Sequence, residues 1–186
     1  MYLAGVSVRR VEDVTEALWG AKVSPGTVSE LNKKVYVQIE AWRNRELKSA
    51  YPYVFLDGIY LKKNWGGTIE NVAILVALGV NEDGNREVIG ACEGGREDTE
   101  SWLHFLRHLA KRGLRGVRMI TGDKCNGLVA AIAEVFPQAQ YQRCMVHFMR
   151  NVLSQVPRAR AKEVGAMLKA IFAQETMRPV YAKHRK

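Results

Sequence analysis

The chain has 186 residues, 47% of them apolar and 25% charged, with a formal net charge of +9. That balance excludes a disordered polyelectrolyte, and no apolar run reaches the roughly 18–20 residues of a membrane-spanning helix. The excess charge is uneven: residues 138–186 hold 10 Lys/Arg against 2 Asp/Glu, whereas residues 51–137 hold 10 against 11.

The first fifty residues predict helices. VRRVEDVTEALWG spaces Val11, Val14, Leu18 and Trp19 along one helical face, with Gly20 at the end. A second helix follows through VSELNKKVYVQIEAWRNREL, with Ser24 as N-cap, Pro25 at the first helical position and Val28, Leu31, Val35 and Ile39 on one face. Two helices with a tight connection fit a helix-turn-helix, whose second helix would offer Thr27, Ser29, Asn32 and Lys33 to DNA; many helical hairpins share this pattern.

At Tyr51 the period changes. YPYVFLDGIYLK and VAILVALGV predict strands, NEDGN a turn centred on Asp83-Gly84, and REVIGACEGG a third strand. Asp98 caps a predicted helix, TESWLHFLRHLAKRG, with Trp102, Phe105, Leu106 and Leu109 on its apolar face. GVRMITGD (strand), NGLVAAIAEVFP (helix, ended by Pro137), AQYQRC (strand) and MVHFMRNVLSQV (helix) complete the order. Three antiparallel strands followed by αβ units predict an α/β fold with an RNase H-like mixed sheet.

Two aspartates stand out. Asp57 interrupts an apolar run, and Asp57-Gly58 reads either as a hairpin tip or as a carboxylate held within a strand. Alternation puts Phe55, Asp57, Ile59 and Leu61 on one face, where a buried carboxylate needs a hydrogen bond, an ion pair or a metal. Asp123 ends the strand VRMITGD, either as the cap of the next helix or at the carboxyl end of a strand, where ligands of α/β sheets bind. A carboxylate pair suits Mg²⁺ or Mn²⁺ together with substrate phosphate. RCMVH places Cys144 and His147 three apart, two ligands where structural zinc wants four, so a buried Cys and a hydrogen-bonded His near the active cleft are expected. Cys92, Cys125 and Cys144 are odd in number and widely spaced, which fits a reducing cytoplasm better than a disulfide framework. The basic carboxyl-terminal block, with Arg150, Arg158 and Arg160, fits either a nucleic-acid backbone or a solvated helix surface.

FLDGIYLK, ITGDKCNGL and YQRCMVHFMRN, in that order, resemble the bacterial Mutator-type transposases of insertion sequences. The resemblance covers roughly residues 1–175. It implies an RNase H-like DDE core with Asp57 and Asp123 as the first two catalytic acids and metal ligands, and Cys144 and His147 as the C-x-x-H signature. It also implies a two-metal Mg²⁺ or Mn²⁺ site, hydrolysis at the transposon end and attack of the freed 3′ hydroxyl on target DNA. The expected partners are double-stranded DNA (terminal repeats and target) and further copies of the chain, in the cytoplasm at the nucleoid, with no membrane.

The expected organisation is a helical DNA-binding region at 1–49, the catalytic core at 50–155 and the start of a helical insertion at 156–186. The third acid of the family is a glutamate beyond that insertion. Glu134, Glu163 and Glu175 all lie outside its context, and MRPVYAKHRK departs from the preceding helical pattern. The expectation is therefore a truncated transposase with an incomplete metal site, cleaving DNA poorly and exposing apolar surface on 164–173. Other readings are a non-catalytic DNA-binding fragment that inhibits the full-length enzyme, a nuclease using local carboxylates alone, and a remnant of a mobile element.

Overall fold

The computed structural model describes residues 8–65, 68–94 and 98–173. The chain divides after Glu46 into two compact units. The first contains α1 (Val8–Trp19) and α2 (Pro25–Arg43). Ser24 caps α2, its Oγ accepting from the Thr27 amide at 3.1 Å, with Pro25 at the start as its fixed φ favours. Helix α2 stops at Arg43, short of the predicted Leu47: Asn44 leaves helical geometry and its side chain donates to the Glu40 carbonyl at 2.9 Å. Only Val11 and Val28 of the predicted stripes are buried; Leu18, Trp19, Leu31 and Ile39 are exposed within a two-helix unit too small to cover them. Thr15 is buried and its Oγ1 accepts from the Val23 amide at 3.3 Å.

The second unit is built on a five-stranded mixed sheet. Its elements are β1 (Tyr53–Trp65), β2 (Thr68–Val80), β3 (Arg86–Gly94), α3 (Thr99–Lys111), β4 (Met119–Gly122), α4 (Asn126–Val135), β5 (Gln140–Arg143), α5 (Met145–Ser154) and α6 (Ala161–Phe172). The sheet order is β3-β2-β1-β4-β5. β1 to β3 form an antiparallel meander, while β4 runs parallel to β1 and β5 parallel to β4. This is the RNase H-like arrangement expected from the element order.

Local chemistry accounts for each boundary. The β2–β3 turn closes through the Gly84 amide on the Asn81 carbonyl (3.0 Å) and the Asn85 amide on Asn81 Oδ1 (2.8 Å). Gly84 sits at φ +82, the left-handed region that favours glycine. Asp98 caps α3, its Oδ1 accepting from the Ser101 amide at 2.9 Å. Helix α4 ends at Val135, with Phe136 leaving helical geometry before Pro137.

Alternation along the strands decides which side is core. Val54 and Leu56 of β1, Ala73, Leu75 and Ala77 of β2, Ile89 of β3 and Ile120 of β4 are buried together. They share that core with Trp102, Phe105, Leu106 and Leu109 of α3 and Leu128, Ala131 and Ile132 of α4. The expectation that Phe55, Asp57, Ile59 and Leu61 share a face is met, but that face is exposed, not buried. The helices cover the other parity, so Asp57 pays no burial penalty. Helices α5 and α6 pack through an edge-on contact of Phe148 with Phe172, ring centroids 6.0 Å apart, while Met167 and Ile171 are exposed. No helix among the described residues is long and apolar enough to cross a membrane.

Candidate active site

The site begins with register. β1 and β4 pair in parallel as Tyr53–Met119, Val54–Ile120 and Phe55–Thr121. Asp57 and Asp123 each stand two residues beyond the last paired position of these neighbouring parallel strands. Asp57 lies within β1, facing Val76 of β2, which excludes the hairpin-tip reading; Asp123 follows the last residue of β4. Asp123 is not the N-cap of α4 either, because Cys125 occupies that position without a side-chain bond.

Asp57 and Asp123 are among the residues that line one cavity of about 60 Å³, with Gly58, Trp102, Cys125 and His147. Larger surface hollows lie elsewhere, along the segments before β4 and β5, where no carboxylate lines them.

Each carboxylate is oriented by its own backbone. Asp57 Oδ1 accepts from the Gly58 amide at 3.0 Å, and Asp123 Oδ1 from the Lys124 amide at 2.7 Å. Neither acid is in an ion pair among the described residues. Two hard, unpaired oxygen donors on one cavity fit a divalent cation of the Mg²⁺ or Mn²⁺ type, which takes one or two carboxylates and keeps water or phosphate as further ligands. Among the described residues, no cluster of three or more His, Cys, Asp and Glu side chains is arranged to hold a metal ion.

The adjoining strand completes the surroundings. The Cys144 amide donates to the Gly122 carbonyl at 2.7 Å, holding the start of α5 beside the end of β4. Tyr141 Oη donates to the same carbonyl at 3.2 Å. Burial, then the nearby Asp123 carboxylate, pushes the Tyr141 phenol above its ordinary range, while Arg143 pulls it down. Cys144 is only half-buried, short of the buried cysteine expected, and the predicted hydrogen bond to His147 is missing at Nδ1: that atom is buried without a partner. None of the three cysteines is disulfide-bonded.

The remaining predicted residues are not among those lining the cavity. Thr27, Ser29, Asn32 and Lys33 are exposed on α2; Lys33 pairs with Glu30 at 2.7 Å, and Thr27 Oγ1 lies 3.0 Å from Ser24 Oγ. Arg150, Arg158 and Arg160 are exposed, Arg160 lying 3.6 Å from Glu163. Glu134 on α4 pairs with Arg107 of α3, so neither it nor Glu163 joins the aspartates; Glu175 and MRPVYAKHRK lie outside the described residues. Trp102 is the member that sequence reasoning assigned only to the core. Its place on the apolar face of α3 gave no sign that it also borders the carboxylates.

The family model "Transposase, Mutator family" matches residues 1–186. The chain is 41% identical over 158 residues to the transposase of insertion sequence element ISRM5 from Rhizobium meliloti (strain 1021), covering 85% of the chain and 40% of that protein. It is 40% identical over 185 residues to the transposase of IS1081 from Mycobacterium tuberculosis (strain ATCC 25618 / H37Rv), covering 98% of the chain and 44% of that protein. Among solved structures, the HTLV-2 integrase catalytic core in complex with magnesium is similar at 12% identity and a TM-score of 0.31, covering 65% of this chain and 85% of that one. The chain spans less than half the length of these transposases. It belongs to the Mutator family of transposases.

Proposed function

We propose that this chain carries the first two acids of a DNA strand-transfer site, in a protein that acts at insertion-sequence ends. The observation that carries the reading is the equivalence of Asp57 and Asp123 on adjacent parallel segments, with both lining one cavity. Asp57 and Asp123 supply oxygens to Mg²⁺ or Mn²⁺, and the Gly58 and Lys124 amides fix the direction of each carboxylate. A bound divalent ion supplies positive charge to phosphate oxygens in phosphodiester chemistry. The chain's own residues hold the ion and present it at the carboxyl end of β4, beside the start of α5.

Double-stranded DNA is the proposed partner. The exposed Arg150, Arg158 and Arg160 contact backbone phosphates, and Thr27, Ser29, Asn32 and Lys33 of α2 form the face that meets terminal-repeat DNA. The protein works as a homo-oligomer in the cytoplasm, at the nucleoid.

The test combines metal binding and DNA binding. The chain should bind Mn²⁺ and terminal-repeat DNA, with DNA affinity falling steeply as salt rises. Asp57→Ala should remove the Mn²⁺ binding and spare the DNA binding. Mn²⁺ binding untouched by Asp57→Ala would overturn the site itself.

A further inference from the structure

Two residues that line the cavity each carry a buried polar atom that the fold leaves unsatisfied. Trp102 is 1% exposed, and its indole Nε1 is buried without a hydrogen-bond partner. His147 Nδ1 is likewise buried and unpartnered. Both residues line the cavity shared by Asp57 and Asp123. They come from different elements, α3 and α5, so their meeting is a product of the tertiary fold.

Such atoms are costly unless something satisfies them. Most buried polar groups in native proteins are bonded to protein or to ordered water. The apolar core would have accepted a phenylalanine at position 102 without that cost. The indole can only donate; a neutral imidazole with its proton on Nε2 accepts at Nδ1. A cavity of about 60 Å³ has room for about two waters, taking ~30 Å³ for each.

We propose that Trp102 and His147 together hold an ordered water beside the Asp57–Asp123 pair, and that they are positioning residues for the metal site. The water accepts from Trp102 Nε1–H and donates to His147 Nδ1. Its second hydrogen is directed to a carboxylate, which fixes the orientation of that acid beyond what its local amide bond achieves. The C-x-x-H spacing thereby has a structural purpose without zinc. Cys144 stands at the N-cap position of α5, and its amide ties α5 to the end of β4, which sets His147 one turn on against the cavity.

This inference rests on the proposed metal site for its consequence but not for the water itself, and NMR of the ¹⁵N-labelled chain separates the two. The Trp102 indole resonance, assigned by its loss in Trp102→Phe, should show a cross-peak to a long-lived water without any metal added. His147→Asn should preserve the cross-peak, because the amide can replace the polar atom, whereas His147→Leu should abolish it. A Trp102 indole without a water cross-peak, or one indifferent to His147→Leu, overturns the proposal. Mn²⁺ titration then reads the consequence: Trp102→Phe should weaken binding about tenfold, as loss of an outer-sphere partner does. Unchanged Mn²⁺ affinity in Trp102→Phe overturns the positioning role. Failure of Asp57→Asn to weaken Mn²⁺ binding sinks the metal reading instead, while the metal-free cross-peak still decides the water.

Discussion

Asp57 and Asp123 lie at equivalent positions on parallel neighbours, two residues beyond the pairing of Phe55 with Thr121. Their separation in sequence is closed by α3, which crosses the sheet and returns the chain as β4 beside β1. The pair stands at the carboxyl end of β4, where an α/β sheet presents its ligands.

Replacing either acid should cost metal binding and almost no stability. Asp57 is exposed, Asp123 is half-buried, and neither makes an ion pair among the described residues. Asp57→Asn and Asp123→Asn should each weaken Mn²⁺ binding roughly tenfold or more, with unfolding free energy within about 0.5 kcal/mol of the parent. Electron paramagnetic resonance of free Mn²⁺ and urea unfolding measure the two quantities. A large stability loss with intact Mn²⁺ affinity would show the acids to be structural.

The phenol of Tyr141 reports the charge of Asp123. Burial and then Asp123 raise its pKa, so the fold favours the neutral phenol. The associated stability is present below the unfolded-state value and is lost as pH rises through the higher folded-state value. Asp123→Asn should move the Tyr141 titration down towards the ordinary tyrosine range, followed by NMR of ¹³Cζ-labelled tyrosine. An unmoved titration would remove Asp123 from the neighbourhood of the phenol.

Gly127 lets the start of α4 approach the start of α3. A Cβ there would lie 2.7 Å from the Thr99 amide nitrogen and 2.8 Å from the Asp98 carbonyl carbon, both backbone atoms. Neither can turn aside, so Gly127→Ala should destabilise the second unit by about 1–3 kcal/mol. It should also loosen Trp102, carried on the first turn of α3. Urea unfolding monitored by fluorescence checks this, and an unchanged midpoint would contradict the close approach.

Ser24 holds the first turn of α2 through its bond to the Thr27 amide. Ser24→Ala should cost about 1 kcal/mol and reduce amide protection at Thr27 and Val28, leaving the sheet unaffected. Hydrogen exchange resolves the effect residue by residue; equal protection in parent and variant would show the cap to be unimportant.

Much of the fold was legible because its signals are local. Ser24 and Asp98 cap helices, Asn81 to Asn85 make the hairpin turn, and Pro137 limits α4. These features depend on side chains reaching their own backbone within a few residues, so sequence spacing suffices to predict them. The two aspartates were visible for a related reason: each is a charge set into or closing an apolar run.

Other properties depend on which surfaces meet. Alternation assigned Asp57 to the face of Phe55 and Ile59, but a period of two cannot tell which face the helices cover. α3 and α4 pack on the side of Val54 and Leu56, leaving Asp57 accessible. The second role of Trp102 was hidden for the same reason, since an indole on an amphipathic helix looks like core until the opposing atoms are known. The sequence by itself determined the order of elements, their caps and turns, and the two acids. Only the tertiary structure decided that those acids share a cavity with Trp102 and His147, because strand register and helix packing are long-range choices that no local pattern encodes.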